Sequence, residues 1–333
     1  MTTKKAAAMT NAAVLPETAA APKTVAMIVR QLRYEAEGVV SVELCAQDRS
    51  ELPPWRPGAH LELVLPTGIT RQYSLCGSPD DRSVYRIGVR RDRMSRGGSE
   101  YVHAFLRPGQ PIQVRGPLDN FRFTEAAAYL FIAGGIGITP ILPMLREAEN
   151  LGVPWQLVYG GHTADSMAFL DELGEHGERV WLYPSDRGSR IPLEDWLREP
   201  RTDTAIYACG PESLLTEIEE GAEHWAPGSV HLERFKSRPK ATSENTEIEV
   251  VCARSDRTVT VPADRSVLTA LEDEGLPVAG SCREGICGTC ETRVLQGTPE
   301  HRDDILSEAD RAAGDRMFIC VSRACDRRLV LDI

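Results

Sequence analysis

The sequence predicts a multidomain chain of three parts: an antiparallel β-barrel, an α/β unit on a parallel sheet, and a small α+β unit. Three observations carry that expectation. Residues 59–76 read as a β-hairpin. From about 124 to 236, apolar strands alternate with helices. The stretch "SCREGICGTC" (281–290) places three of the chain's nine cysteines within nine residues. A length of 333 residues suits two or three domains.

The first 22 residues are Ala-rich, but Thr10, Asn11, Pro16 and Glu17 interrupt the apolar run that a signal peptide needs. Residues 1–22 are expected to be a disordered tail, and the barrel is assigned to 23–123. Within it "AHLELVLP" (59–66) alternates apolar and polar residues, "TG" turns, and "ITRQYSLC" (69–76) returns. "VYRIGVRR" (84–91) and "PIQVRG" (111–116) add strands, and "SEYVHAFL" (99–106) reads as a helix.

The α/β unit is assigned to 124–235. "AYLFIA" (128–133) is a continuous apolar run, as in a strand covered on both faces. "WQLVY" (155–159), "RVWLY" (179–183) and "TAIYA" (204–208) repeat the theme. The polar "KSRPKATSENT" (236–246) reads as a linker. The last unit is assigned to 247–333. There "EIEVVC" (247–252) and "RTVTVP" (257–262) suggest a hairpin, and "SVLTALEDEG" (266–275) a helix ending at Gly275.

The cysteine spacing is Cys282-x4-Cys287-x2-Cys290, then 29 residues to Cys320. That is the plant-type pattern for a 2Fe–2S cluster. Gly280, Gly285 and Gly288 let the loop bend around two irons. A zinc-stapled, non-redox binding module is the alternative, but zinc sites usually pair two short knuckles, and Cys320 stands alone. Cys325, Cys45, Cys76 and Cys252 read as packed thiols.

Upstream, "GGIGITP" (134–140) follows the apolar strand directly. Gly134, Gly135 and Gly137 suit a tight turn near a pyrophosphate, with Thr139 expected to cap the next helix and Pro140 to open it. "YACGP" (207–211) puts Cys209, Gly210 and Pro211 at the carboxyl end of another strand, where ligands bind such sheets. "RQYSL" (71–75) offers Arg71 for a phosphate, and Tyr73 and Ser74 for a flat ring. "SRGGS" (95–99) is a second glycine loop opening a helix.

In this order, "RQYSL", "SRGGS", "GGIGITP", "YACGP", "ERF" and the cysteine spacing resemble the phthalate dioxygenase reductase family over residues 24–333. The resemblance implies a flavin barrel, a nucleotide domain and a β-grasp ferredoxin domain. It implies FMN held by Arg71, Gln72, Tyr73 and Ser74 with Arg96, Gly97, Gly98 and Ser99. It places Cys209 near the nicotinamide, in the binding segment that runs on to Gly210 and Pro211, with Glu233 and Phe235 closing over the flavin. Ser74, Cys209, Glu233 and Phe235 then form the expected catalytic group, and Cys282, Cys287, Cys290 and Cys320 the metal ligands. His162 in "YGGHTADS" favours NADH, while Arg187 and Arg190 remain available for NADPH.

The implied activity is an NAD(P)H-dependent iron–sulfur flavoprotein oxidoreductase. A nicotinamide gives up two electrons as hydride and a cluster takes one at a time, so a flavin is needed between them. The seven histidines form no Rieske or 2-His-1-carboxylate grouping, so oxygen chemistry belongs to another protein. The expected acceptor is a Rieske-type oxygenase for aromatic hydroxylation or O-/N-demethylation; a haem monooxygenase is the alternative. A net charge of −11 argues against nucleic acid, and no run approaches the ~18 apolar residues of a membrane span. A cytoplasmic monomer is expected. The last unit carries 11 arginines and no lysine against 17 acidic residues, an acidic face suited to a basic partner.

Overall fold

The structure is a computed structural model that describes residues 24–92, 97–188, 190–238 and 244–333. The expected tail, Arg96, the side chain of Arg187 and linker residues 239–243 lie outside the described residues.

The first unit is a six-stranded antiparallel sheet of β1 (Val25–Ala36), β2 (Val39–Ala46), β3 (Ala59–Val64), β4 (Thr70–Ser74), β5 (Tyr85–Arg90) and β6 (Pro111–Asp119). Its order is β4-β3-β6-β1-β2-β5. A bridge from Leu75 to Ile87 joins the first strand's end to the last, curling the sheet into a barrel. The alternation in β3 explains the packing. Leu61 and Leu63 point into the barrel core, each burial contributing about 2 kcal/mol, while His60 and Glu62 face the other way. The helix α1 (Gly98–Ala104) starts one residue before the sequence suggests.

The second unit is a five-stranded parallel sheet, ordered β11-β10-β7-β8-β9. The strands are β7 (Ala128–Gly134), β8 (Trp155–Gly161), β9 (Val180–Pro184), β10 (Thr204–Cys209) and β11 (Val230–Glu233). The helices α2 (Ile138–Asn150), α3 (Leu170–Gly174), α4 (Leu193–Leu197) and α5 (Glu212–Gly221) cover it. β7 is apolar throughout because both faces are buried: Tyr129, Phe131 and Ala133 join one core, Leu130 and Ile132 the other. Glu172 fastens this unit to the barrel, pairing with Arg86 at 3.0 Å and also with Arg146.

The third unit comprises β12 (Ile248–Cys252), β13 (Arg257–Val261), α6 (Val267–Asp273), β14 (Glu291–Gln296), β15 (Pro299–Glu300), α7 (Glu308–Ala313), β16 (Arg316–Phe318), β17 (Arg323–Ala324) and β18 (Arg328–Leu331). Its main sheet runs β13-β12-β18-β14-β16, with β12 and β18 parallel at the centre. α6 lays Val267, Leu268 and Leu271 on that sheet. Ser266 caps it, its Oγ accepting from the Thr269 amide at 3.1 Å. Gly275 lies just beyond its end.

Candidate functional site

Three strand ends converge between barrel and parallel sheet. β4 ends at Ser74, β10 at Cys209 and β11 at Glu233, and Cys209 lies beside Glu233 in the parallel register. The Glu233 carboxyl has the Cys209 thiol and the Ser74 hydroxyl as its polar neighbours, and both favour its ionised form. Its Oε2 is buried and has no hydrogen-bond partner among the described residues. Burial raises this carboxyl to about 8 against the pull of those two neighbours, and the Asp119 charge adds to the rise. Burial, and then the Glu233 charge, raises the Cys209 thiol well above its ordinary value. At neutral pH both groups therefore keep their protons. Phe235 lies just past β11 and is 38% exposed.

The glycine turn is built for close approach. Gly135 has φ +55°, a left-handed value that favours glycine. At Gly137 a Cβ would stand 2.2 Å from the Cys209 carbonyl oxygen, so the turn rests directly on the 209–210 backbone. Thr139 does not cap the helix as the sequence suggests. A 3₁₀ turn over Gly135–Gly137 runs straight into α2, so Gly137 takes the cap position and Thr139 lies inside the helix. The Thr139 hydroxyl donates to the Ile136 carbonyl at 2.9 Å, and Pro140 is the third helical residue.

A cleft of about 1040 Å³ opens above this turn, between the two units. Gly135, Gly161, His162 and Thr163 line one side, and Glu37, Arg90, Arg91 and Gly97 the other. Arg91 is held by Glu100 at 2.7 Å. Arg90 makes no ion pair among the described residues, and its Nη1 lies 3.6 Å from where a Gly135 Cβ would be. It is a cation facing the turn that the sequence did not single out.

Arg71 lies across Gly98, where a Cβ would come within 2.5 Å of its side chain, and its Nη1 donates to the Thr70 carbonyl at 2.7 Å. Ser99 Oγ accepts from the Asp92 amide at 3.1 Å. Tyr73 packs partly on the barrel core, where burial raises its phenol to about 12. The Gln72 side chain turns to Glu62 and Ser281, at 3.2 Å each.

Three of the four expected cluster ligands, Cys287, Cys290 and Cys320, are buried, and Cys282 is partly so. Their thiols form a run of contacts, Cys287 to Cys282, Cys282 to Cys320 and Cys320 to Cys290. The Cys287 thiol is raised first by its contact with Cys282 and then by burial. Thiols crowded in this way release their protons readily only to a metal, and a pair at each end of the run suits two irons. Among the described residues no three His, Cys, Asp or Glu side chains surround a single ion position.

Two further residues were not evident from sequence. Asn120 donates from Nδ2 to the Cys287 carbonyl. His60 is buried opposite Ser74, its Nε2 unpartnered among the described residues, and burial lowers it to about 4. The Asn120 contact spans 167 residues of chain, so no local pattern marks it.

The fold and these sites define a nucleotide-dependent flavin and iron–sulfur oxidoreductase. Residues 250–325 match the family model of the 2Fe-2S iron-sulfur cluster binding domain. The phenoxybenzoate dioxygenase subunit beta of Ectopseudomonas oleovorans is 42% identical, covering 95% of this chain and 99% of its own. The solved structure of phthalate dioxygenase reductase, described as a modular structure for electron transfer from pyridine nucleotides to a 2Fe–2S centre, is 32% identical with TM-score 0.71. That match covers 93% of this chain and 98% of the other. An intact type IV self-sufficient cytochrome P450 monooxygenase is 39% identical with TM-score 0.85; the match spans 93% of this chain and 41% of that longer one. The chain belongs to the phthalate dioxygenase reductase family, as its motifs suggest, and is an oxidoreductase of the oxygenase reductase type. The zinc-stapled module is thereby set aside. No helix among the described residues is long and apolar enough to cross a membrane.

Proposed function

We propose that the chain is the cytoplasmic reductase component of an oxygenase system, carrying electrons from NADH through FMN and a 2Fe–2S cluster to a separate Rieske-type oxygenase. The observation that carries this reading is the position of β4. Its Ser74 reaches the Cys209–Glu233 pair, and its Gln72 reaches the loop of cluster cysteines.

When bound, the flavin takes an electron pair as hydride from the nicotinamide and passes single electrons onward. The chain's own residues do the rest. In this reading the cluster is held by Cys282, Cys287, Cys290 and Cys320. Arg71 and the 97–99 loop hold the flavin phosphate, and Ser74 orients the ring. Gly134, Gly135 and Gly137 let the pyrophosphate approach the backbone, and Arg90 neutralises it from the barrel side. Cys209, Gly210 and Pro211 seat the nicotinamide. Glu233 presents a neutral carboxyl through Oε2, and Phe235 covers the ring and is displaced as nicotinamide enters. Glu37 in the cleft wall supports NADH over NADPH, since a carboxylate repels a 2′-phosphate. In this reading residues 23–123 serve FMN, 124–235 the nucleotide, 236–246 form a linker and 247–333 hold the cluster.

Extraction and identification of the flavin, with iron and acid-labile sulfide counts, tests the assignment. FMN with two irons and two sulfides per chain is expected, and Cys320→Ser should lose the cluster while NADH still bleaches the flavin. Colourless protein holding one zinc would refute it. The similarity to the self-sufficient P450 favours a second reading, delivery to a haem monooxygenase. Turnover with each purified acceptor separates the two.

A further inference from the structure

Side chains two apart on a strand share a face, so β4 presents Ser74 and Gln72 together, about 6.6 Å apart along the chain. Ser74 neighbours Glu233 at the strand ends between barrel and parallel sheet. Gln72 Nε2 donates to Ser281 Oγ at 3.2 Å, and Ser281 directly precedes Cys282. The second hydrogen of that amide goes to Glu62 Oε1, also at 3.2 Å. Glu62 is fully buried, stands opposite Gln72 on β3, and has Arg115 of β6 on its other flank at 3.6 Å. A carboxylate so buried requires these donors, and in return it fixes which way the Gln72 amide points.

The second contact lies beyond Cys282. Asn120, just past β6, donates to the carbonyl of Cys287. Gly288 follows with φ +75°, and a Cβ there would lie 3.7 Å from Asn120 Oδ1, so the amide is seated on bare backbone. The barrel thus grips the loop on both sides of the first ligand. At the far edge the linker is tied as well: Arg238 reaches Glu219 at 2.7 Å, and its amide donates to Asp304 at 2.9 Å.

We propose that Gln72 and Asn120 are positioning residues for the electron step, seating the 281–288 loop on the barrel so that the cluster works from one docked pose. The inference rests on the reductase reading above. The step moves one electron from the reduced flavin to the oxidised cluster; the seat sets its rate and not its products.

Asn120→Asp keeps the shape and removes the donor, and Ser281→Ala removes one hydroxyl. Anaerobic rapid mixing with NADH follows flavin bleaching, and freeze-quenched paramagnetic resonance follows the cluster. Each variant is expected to slow cluster reduction about fivefold and the double variant about twenty-fivefold, with flavin bleaching within about twofold of wild type. The dithionite-reduced spectrum should be unchanged, while hydrogen exchange rises in 281–288 and β4. If the double variant fails to load its cluster, Ser281→Ala alone gives the same reading. Cluster reduction at the wild-type rate in these variants overturns the proposal. Failure of NADH to reduce the cluster in the unaltered protein overturns the reductase reading itself, so the two failures are distinguishable.

Discussion

Glu233→Gln exchanges a buried carboxyl for an amide of nearly the same shape. The folded protein raises this carboxyl from the ordinary 4.5 to about 8, chiefly through burial. The folded state therefore binds the proton more tightly than the unfolded chain. That contribution to stability is fully present below about pH 4.5 and is lost as pH rises through about 8. Between about pH 6 and about pH 9 the wild type should lose about 2–3 kcal/mol more than the Gln variant, whose side chain does not titrate. The assay is thermal melting at both pH values, followed by fluorescence of released flavin, since a chain of several units has no single unfolding free energy. For a unit of this size the difference corresponds to about 8–13 °C in Tm. Equal losses in wild type and variant would refute the reasoning, because they would mean that the Glu233 carboxyl is already ionised near neutrality.

Arg90→Ala removes the cation facing the glycine turn; KM for NADH should rise about tenfold with kcat nearly unchanged, by steady-state kinetics. Gly137→Ala drives a methyl to 2.2 Å from the Cys209 carbonyl oxygen. The turn must lift from the 209–210 backbone, and a loss of about 1–3 kcal/mol is expected in melting, together with weaker NADH binding by titration.

The parts of this molecule that repeat at short range were legible in the sequence. The 59–76 hairpin, the four apolar runs at Ala128, Trp155, Val180 and Thr204, and the Ser266–Gly275 helix all correspond to observed elements. The ligand spacing was readable for the same reason, since three of the four thiols sit on one loop. Elements without a clean period were not readable. β1 is twelve residues long but shifts register against β2 in two places, which breaks its alternation. β14 to β18 are two to six residues each, too short to show a period. Thr139 misled because a threonine before a proline imitates a cap, while the preceding 3₁₀ turn had already begun the helix. The Gln72–Ser281 contact was not readable because a strand's alternation says which residues share a face but not what lies opposite; the partner is 209 residues away.

Charge is sorted along the cleft in a way that bears on turnover. At the proposed phosphate ends stand Arg71 and Arg90. At the redox end the groups are neutral near pH 7: Glu233 keeps its proton up to about 8, His60 stays unprotonated down to about 4, and the Cys209 thiol is raised. The reduced nicotinamide ring is neutral and the oxidised ring carries a positive charge. An ionised Glu233 beside it would hold the product more tightly than the substrate; a protonated one shows no such preference. With the nicotinamide seated as proposed, a protonated Glu233 would ease release of the oxidised nucleotide. Removing the neighbours Ser74 and Cys209 would push that carboxyl higher still, since both favour the ionised form. Those two neighbours and the burial therefore act against each other on the Glu233 proton.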